Sequence, residues 1–227
     1  MEDLGFATSG SMSRLIVFDL DGTLVDSRRD LAESANLLLT ELGCSPLPED
    51  DIGRMVGEGA ATLVARVFEA SRCAPPPHAL ARFLAIYNGR LLKFTRAYPG
   101  VHEALTALGA RARLAVLTNK PLHATREILA ALDLARYFPS ACVLGGDGPF
   151  PRKPDPAGLR HLISEAGATP SATTMVGDSV IDYRTARAAG THLCLVRYGF
   201  GFEGFPVGDL SSDDRVVDQA DQLGAVL

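Results

Sequence analysis

The sequence lacks three features that would each assign it to a class of protein. None of its apolar runs approaches the ~18 uninterrupted residues of a membrane span, and its first residues lack the basic-then-apolar pattern of a secretory signal. Acidic residues outnumber basic ones by 27 to 22, giving a net charge of −5. We therefore expect a cytoplasmic protein that binds neither nucleic acid nor anionic membrane, because both require a basic surface.

Cysteine is also scarce. The four residues are far apart, without a Cys-x-x-Cys pair or a histidine at metal-ligand spacing. They are Cys44, Cys73, Cys142 and Cys194. We expect all four to be small core or surface residues that serve packing. A chain of 227 residues buries roughly 70–75% of its unfolded surface and needs no disulfide or structural metal to fold.

Short apolar runs, each ending in small or polar residues, recur along the chain and predict buried strands. They are LIVFDL (15–20), RLAVLTN (113–119), ACVLGG (141–146), TTMVGD (173–178) and HLCLVRYG (192–199). Helical patterns lie between the later runs, at 121–132, 157–166 and 182–189, with Gly190 as a helix stop. This alternation predicts an α/β fold, a Rossmann-like parallel sheet with helices on both faces, which binds ligands beyond the carboxyl ends of its strands.

About seventy residues separate the first strand from the second and interrupt the alternation. Their sequence predicts helices over 27–43, 59–72 and 78–94, separated by glycines and by three consecutive prolines. The simplest interpretation is an all-helical cap domain at 27–97, inserted into a catalytic core formed by 14–26 and 98–227. Residues 1–13 have no periodicity and are predicted to be a disordered extension or a tag remnant.

The first strand is followed by two aspartates, Asp19 and Asp21, in the segment FDLDGTLVDS. Side chains at positions i and i+2 of an extended chain point the same way, and Gly22 permits a sharp turn after them. Asp19 is the candidate nucleophile that attacks phosphorus, and Asp21 is the candidate acid and base for the leaving alcohol and the attacking water. An Asp-x-Asp-Gly segment on its own is also compatible with an ordinary turn.

Later strand ends supply further candidates. Thr118 offers a hydroxyl and neighbouring backbone amides to a phosphoryl oxygen, and Asn119 adds its backbone or side-chain amide to the same site. Lys153, within RKPDP, is placed to neutralise charge on the phosphate and on Asp19. Each of these residues taken singly is typical of a structural or solvated position. Their occurrence at successive strand ends predicts a phosphate site.

Asp178 and Asp182, in GDSVID, follow the fourth strand at positions i and i+4. If a helix begins between them, both carboxylates can face one site. Clustered carboxylates favour a hard cation, and Mg²⁺ commonly combines one or two of them with water and substrate phosphate. The predicted ligands are Asp19, Asp178 and the main-chain carbonyl of Asp21, with Asp182 behind them or bound through water.

The segments FDLDGTLVDS, YPGV (98–101), LTNKP (117–121), RKPDP and VGDSVID together resemble the phosphoglycolate phosphatase branch of the haloacid dehalogenase-like hydrolase superfamily. The resemblance covers residues 15 to about 199. It implies a nucleophile, an acid and base, a phosphate-binding threonine, a charge-neutralising lysine and a metal-binding aspartate. These fall on Asp19, Asp21, Thr118, Lys153 and Asp178.

The resemblance implies a small phosphorylated metabolite as substrate, with phosphoglycolate as the first candidate. A cap cation would then meet the substrate's carboxylate, and Arg28, Arg54 and Arg66 are candidates. Glu58 stands in VGEGAATL (56–63) where the branch has a neutral residue, which leaves the exact substrate open. The oligomeric state, monomer or homodimer, is also open.

Three other functions compete with a phosphatase. A dehalogenase would use the same nucleophile, but it requires neither Asp21 nor a magnesium site. A phosphomutase of the beta-phosphoglucomutase type shares the core and differs mainly in its cap. A catalytically silent interaction module would not need every one of these positions to be filled, as they are here.

Overall fold

The computed structural model describes residues 14–202, Phe205 and residues 207–227. The extension predicted for residues 1–13 lies outside the described residues. Within them, no helix is both long enough and apolar enough to cross a membrane.

A six-stranded sheet forms the centre of the molecule, with the strand order β5-β4-β1-β6-β7-β8 and parallel pairing throughout. Its strands are β1 (Leu15–Phe18), β4 (Arg113–Leu117), β5 (Val143–Leu144), β6 (Thr173–Gly177), β7 (His192–Val196) and β8 (Arg215–Val217). The predicted parallel sheet is therefore confirmed. Strand β5 is shorter than the predicted 141–146, and β8 was not predicted from the sequence.

Helices cover both faces of the sheet. Successive residues of β1 point to opposite sides, with Ile16 and Phe18 in one apolar cluster and Leu15 and Val17 in the other. The first cluster includes side chains of α5 (Val101–Gly109), α6 (Leu122–Ala131) and α9 (Leu223–Val226). The second includes side chains of α7 (Ala157–Ala166) and α8 (Val180–Ala189). Burial on both faces explains why the strands are apolar at nearly every position.

Four further helices lie between β2 (Val25–Asp26) and β3 (Arg96–Ala97), which pair antiparallel where the chain leaves and re-enters the core. They are α1 (Arg28–Glu41), α2 (Glu49–Gly53), α3 (Ala60–Ser71) and α4 (Ala79–Asn88). The buried Asp30 joins the two ends of this helical insertion, because its Oδ2 accepts bonds from the amides of Phe94 and Thr95. Its role as a separate cap domain with the bounds 27–97 stays a prediction.

The expectation that all four cysteines serve only packing is wrong for two of them. Cys44, after α1, and Cys73, after α3, form a disulfide with their Cα atoms 6.3 Å apart. Cys142 and Cys194 are free. The spacing of cysteines along a chain contains no information on which helix ends meet in space, so this bond could not be predicted from the sequence.

Candidate active site

Three neighbouring strands of the sheet end in polar residues at the same edge. Asp19 follows β1, Thr118 follows β4 and Asp178 follows β6, and β1 pairs with both of the other strands. Because the strands are parallel, their carboxyl ends meet at one edge, where open α/β sheets bind ligands. All three side chains are buried.

The turn after β1 brings this strand close to the end of β6. The Asp19 amide donates to the carbonyl of Val176 at 2.9 Å, and the chain then turns at Gly22, which has a φ of +85°. A Cβ atom at Gly22 would lie 2.0 Å from Oδ2 of Asp178. Only glycine therefore combines this left-handed conformation with the close approach of the Asp178 carboxylate.

Asp19, Asp178 and Asp182 form a buried carboxylate cluster, in which one oxygen from each lies within 4.8 Å of the others. Burial raises the pKa of Asp19 to about 6, with Lys153 opposing the shift. Burial also raises the pKa of Asp178 well above its usual range, and the charge of Asp182 adds to the effect. Both groups are therefore costly to ionise without a cation nearby.

Lys153 lies beside this carboxylate cluster. Its ammonium is 2.8 Å from Oδ1 of Asp19 and 2.6 Å from Oδ1 of Asp182. Burial on its own would lower the pKa of Lys153, but the charges of the two carboxylates outweigh it and the pKa is raised. Lys153 thus remains a cation in contact with the candidate nucleophile.

Asp182 uses both carboxylate oxygens within the protein. Oδ1 accepts from Lys153, and Oδ2 accepts from the amide and hydroxyl of Ser179, at 3.1 and 2.7 Å. Ser179 and Asp182 form the capping box of α8, which begins at Val180, two residues before the predicted start. The predicted stop at Gly190 is confirmed, with a left-handed φ of 76°. Asp182 is therefore positioned to orient Lys153.

Asp21 makes a separate set of contacts. Both of its carboxylate oxygens accept from the ammonium of Lys120, at 2.9 and 2.8 Å, and Oδ1 also accepts from Ser27. The two candidate catalytic aspartates therefore have different lysine partners, Lys153 for Asp19 and Lys120 for Asp21. The sequence offered no signal for Lys120 beyond its place in LTNKP.

Thr118 and Asn119 lie at the end of β4, where the site meets the helical insertion. The Thr118 hydroxyl accepts from the amide of Lys120 at 3.2 Å. The Asn119 side-chain amide donates to the carbonyl of Gly57, in the insertion, and to that of Lys153, at 2.8 and 2.9 Å. Asn119 therefore connects the sheet, the Lys153 loop and the insertion through its side chain.

A cavity of about 50 Å³ lies between the sheet edge and the helical insertion. One water needs on the order of 10–15 Å³, so the cavity has room for a few groups of that size. The sheet edge contributes polar residues, and the insertion contributes mainly apolar ones such as Leu63, Phe83 and Leu84. The polar residues that line it are Asp19, Asp21, Thr118, Asn119, Lys120, Asp178 and Ser179 from the core, and Tyr87 and Asn88 from the insertion.

None of the three arginines proposed as cap cations lines this cavity. Arg28 pairs with Glu49 and Asp50, at 3.6 and 3.3 Å. Arg54 pairs with Asp51, and Arg66 pairs with Glu58. Glu58, the residue that departs from the branch pattern, is therefore the partner of a candidate arginine and not a cavity residue.

The site combines a buried carboxylate next to an ammonium with a second carboxylate two residues away. The first can attack an electrophilic centre, and the second can transfer protons, because the two have separate environments. The carboxylate cluster offers oxygen ligands to a hard divalent cation. This combination suits hydrolysis of an anionic ester.

Comparisons with known proteins identify the family of the chain. The family model described as haloacid dehalogenase-like hydrolase matches residues 16–196. A phosphoglycolate phosphatase from Rhodospirillum rubrum is 43% identical over 210 residues, which cover 88% of this chain and 86% of the relative. Another from Nitrosospira multiformis is 40% identical over 206 residues, which cover 88% of this chain and 89% of the relative.

Solved structures share the fold over nearly the whole chain. The crystal structure of a predicted phosphoglycolate phosphatase from Haemophilus somnus has a TM-score of 0.85 and 31% sequence identity, covering 94% of this chain and 97% of its own. The resemblance noted from the sequence is thus confirmed. The chain belongs to the haloacid dehalogenase-like hydrolases, in the branch whose curated relatives are phosphoglycolate phosphatases.

Proposed function

We propose that this chain is a Mg²⁺-dependent phosphatase that hydrolyses a small phosphate monoester through a phospho-aspartate on Asp19. Phosphoglycolate is the first candidate substrate, because it is named for the relatives from R. rubrum and N. multiformis. One observation carries the proposal: Asp19 lies in a carboxylate cluster with Asp178 and in contact with Lys153, while Asp21 lies two residues further on.

The charges of the site support a divalent cation. Four carboxylates and two ammonium groups meet here, so the site has a net charge of −2 when all six are ionised, which one divalent cation would cancel. The carboxylates are those of Asp19, Asp21, Asp178 and Asp182, and the ammonium groups are those of Lys120 and Lys153. Buried charges without a partner are strongly unfavourable, so the residues fit the cation.

The donor atoms also suit magnesium, which prefers oxygen ligands. Asp19, Asp178 and the main-chain carbonyl of Asp21 would hold it. Asp182 would not bind the metal directly, since its two oxygens already accept hydrogen bonds from Lys153 and Ser179. When bound, Mg²⁺ would reduce the repulsion between the anionic nucleophile and the anionic phosphoryl group.

In the first half-reaction, a carboxylate oxygen of Asp19 attacks phosphorus and forms a new P–O bond. The ester P–O bond breaks, and Asp21 gives its proton to the departing alcohol oxygen. Lys153 balances negative charge on Asp19 and on the phosphoryl oxygens, and Thr118 and the amides that follow it hold those oxygens.

In the second half-reaction, water attacks the phosphorus of the phospho-aspartate. Asp21 accepts a proton from this water, the bond between phosphorus and the Asp19 oxygen breaks, and inorganic phosphate leaves. The helical insertion would act as the cap that excludes other water while the phospho-aspartate exists.

Phosphate release from phosphoglycolate by the purified protein, with and without a metal chelator, tests this proposal. We expect Mg²⁺-dependent turnover that Asp19→Asn abolishes and that Asp26→Asn, a nearby aspartate outside the cavity lining, retains. Asp21→Asn should slow hydrolysis of the phospho-enzyme, so that the phospho-enzyme accumulates and intact-protein mass spectrometry detects it. Turnover by Asp19→Asn near the wild-type rate would refute the assignment of Asp19 as nucleophile. An isomerised product without phosphate release would identify a mutase.

A further inference from the structure

Lys120 is a buried cation whose function is not explained by the reaction steps above. It lies three residues beyond the end of β4, and its ammonium contacts both carboxylate oxygens of Asp21. The same ammonium lies 4.7 Å from the ring centroid of Tyr87, which belongs to α4 of the helical insertion. Lys120 therefore lies where the core and the insertion meet.

Lys120 can supply the positive charge that the sequence suggested for a cap arginine. Within the described residues, it is the only cationic side chain in the cavity lining. Lys153 faces Asp19 and Asp182, so its charge serves the nucleophile. Lys120 also pairs with Asp21, but its side chain lines the cavity and that of Lys153 does not, so Lys120 offers the positive charge to the rest of a substrate.

Tyr87 adds a hydrogen-bond donor beside this cation. Its side chain is buried and lines the cavity. Among the described residues its hydroxyl has no hydrogen-bond acceptor, because the neighbouring Lys120 ammonium can only donate to it. Burial raises the pKa of Tyr87 to about 12, so the hydroxyl keeps its proton and can donate. A buried hydroxyl proton without an acceptor is unfavourable, which suggests that a ligand atom supplies the acceptor.

We propose that Lys120 and Tyr87 bind a carboxylate at the non-reacting end of the substrate and thereby select small phosphate monoesters that carry one. This inference rests on the proposed function. Since Asp21 must reach the leaving oxygen and Lys120 contacts Asp21, a carboxylate one carbon from that oxygen lies within reach of the ammonium. Apolar residues line much of the remaining cavity, so a carboxylate there needs these two partners.

The binding mode also connects the substrate to both parts of the molecule. Lys120 comes from the sheet edge, and Tyr87 comes from the insertion, so a carboxylate held between them would favour their close approach. A substrate without the carboxylate would leave the Tyr87 hydroxyl without an acceptor for its proton. Discrimination should therefore be large, as for other sites with buried polar groups.

The test compares kcat/KM for phosphoglycolate with kcat/KM for ethyl phosphate, which lacks the carboxylate. In Lys120→Met we expect the ratio to fall by roughly 10- to 100-fold, as for loss of a hydrogen bond to a charged group. In Tyr87→Phe we expect a fall of about 2- to 10-fold. Arg66→Gln, which removes a cation outside the cavity lining, should leave the ratio unchanged.

A purely structural role for Lys120, such as holding Asp21, would lower turnover of both esters equally and leave the ratio unchanged. That result overturns the inference. Equal kcat/KM values for ethyl phosphate and phosphoglycolate in the wild-type enzyme would also overturn it. Absence of turnover with either ester would instead refute the proposed function, and the inference would fail with it.

A second measurement does not depend on the folding of Lys120 variants. We expect a crystal structure of Asp19→Asn with bound phosphoglycolate to place the substrate's carboxylate within hydrogen-bond distance of the Lys120 ammonium and the Tyr87 hydroxyl. A carboxylate that contacts neither group would overturn the assignment.

Discussion

The ammonium of Lys153 bridges Asp19 and Asp182, at 2.8 and 2.6 Å, so one buried cation connects the candidate nucleophile to the first turn of α8. The capping box with Ser179 fixes Asp182, and Asp182 in turn fixes the ammonium. The orientation of Lys153 therefore depends on correct formation of the helix start that follows β6.

Replacement of Lys153 by methionine should reduce kcat by roughly 100- to 1000-fold, the usual loss when one preorganised group that stabilises transition-state charge is removed. Mg²⁺ binding should persist, because the carboxylates remain and lose a competing cation. Steady-state kinetics and calorimetric titration with Mg²⁺ measure the two effects separately. Lys93→Met is the matched control, because the Lys93 ammonium lies over the Phe94 ring and away from the carboxylate cluster. A kcat within about tenfold of wild type would contradict the role of Lys153.

Gly22→Ala should displace Asp178, because the new Cβ would lie 2.0 Å from its Oδ2. We expect Mg²⁺ affinity to fall at least tenfold and turnover to fall with it, since a proposed metal ligand moves. Gly167→Ala is the control, because it also has a positive φ but no atom within 4 Å of the added Cβ. Both variants should lose about 1–2 kcal/mol of stability to backbone strain. Equal Mg²⁺ affinity in the two variants would show that the Gly22 contact is unimportant.

The sequence predicted those parts of the site that depend on strand ends. Asp19, Thr118 and Asp178 each follow an apolar run, and parallel strands bring such positions together without knowledge of any side-chain contact. Lys120 could not be predicted in this way, because its ammonium reaches Asp21 from 99 residues away along the chain. Arg66 shows the opposite error, since its charge suggested a ligand but Glu58 pairs with it.

The fold was predictable to a similar extent. The continuous apolar runs of the central strands and the periodic patterns of the helices between the later strands can be read from the sequence. In contrast, α2 has only five residues and β8 only three, too few for a helical or strand pattern. Helix α5 begins at Val101, the last residue of YPGV, in a segment interpreted as the point where the chain returns to the core. The Cys44–Cys73 disulfide could not be predicted, because it depends on tertiary contact between the ends of α1 and α3.

Reduction of the Cys44–Cys73 disulfide should destabilise the helical insertion. The two residues are 29 positions apart, and the loop-entropy model gives about 3–4 kcal/mol for a loop of this size. Thermal unfolding with and without reductant measures the effect, and Cys44→Ser should reproduce it. Cys142→Ser, at a free cysteine, should not. Neither half-cystine lines the cavity, so kcat below the melting transition should be unchanged. Equal melting temperatures with and without reductant would contradict this bond.

The carboxylate cluster should make the thermal stability of the protein depend on pH. The direction of this dependence should be opposite in the metal-free protein and in the Mg²⁺-bound protein. Folding raises the pKa of Asp19 from 3.8 to about 6, so the native state binds more protons than the unfolded chain between these values. The resulting stabilisation is complete below pH 3.8 and is lost as the pH rises through about 6. Asp178 acts in the same direction. Without metal, these groups should therefore make the melting temperature fall as the pH is raised from about 5 to about 7.

Mg²⁺ should reverse this trend, because it binds ionised carboxylates and stabilises the native state more at the higher pH. Thermal melts across this range, with chelator or with Mg²⁺, measure both effects. Asp19→Asn isolates the contribution of Asp19 from that of other titrating groups, and its metal-free melting curve should depend less on pH than that of the wild type. If the two metal-free proteins respond identically to pH, Asp19 does not titrate in this window. An Mg²⁺ shift that does not grow with pH would mean that protons and metal do not compete for this cluster.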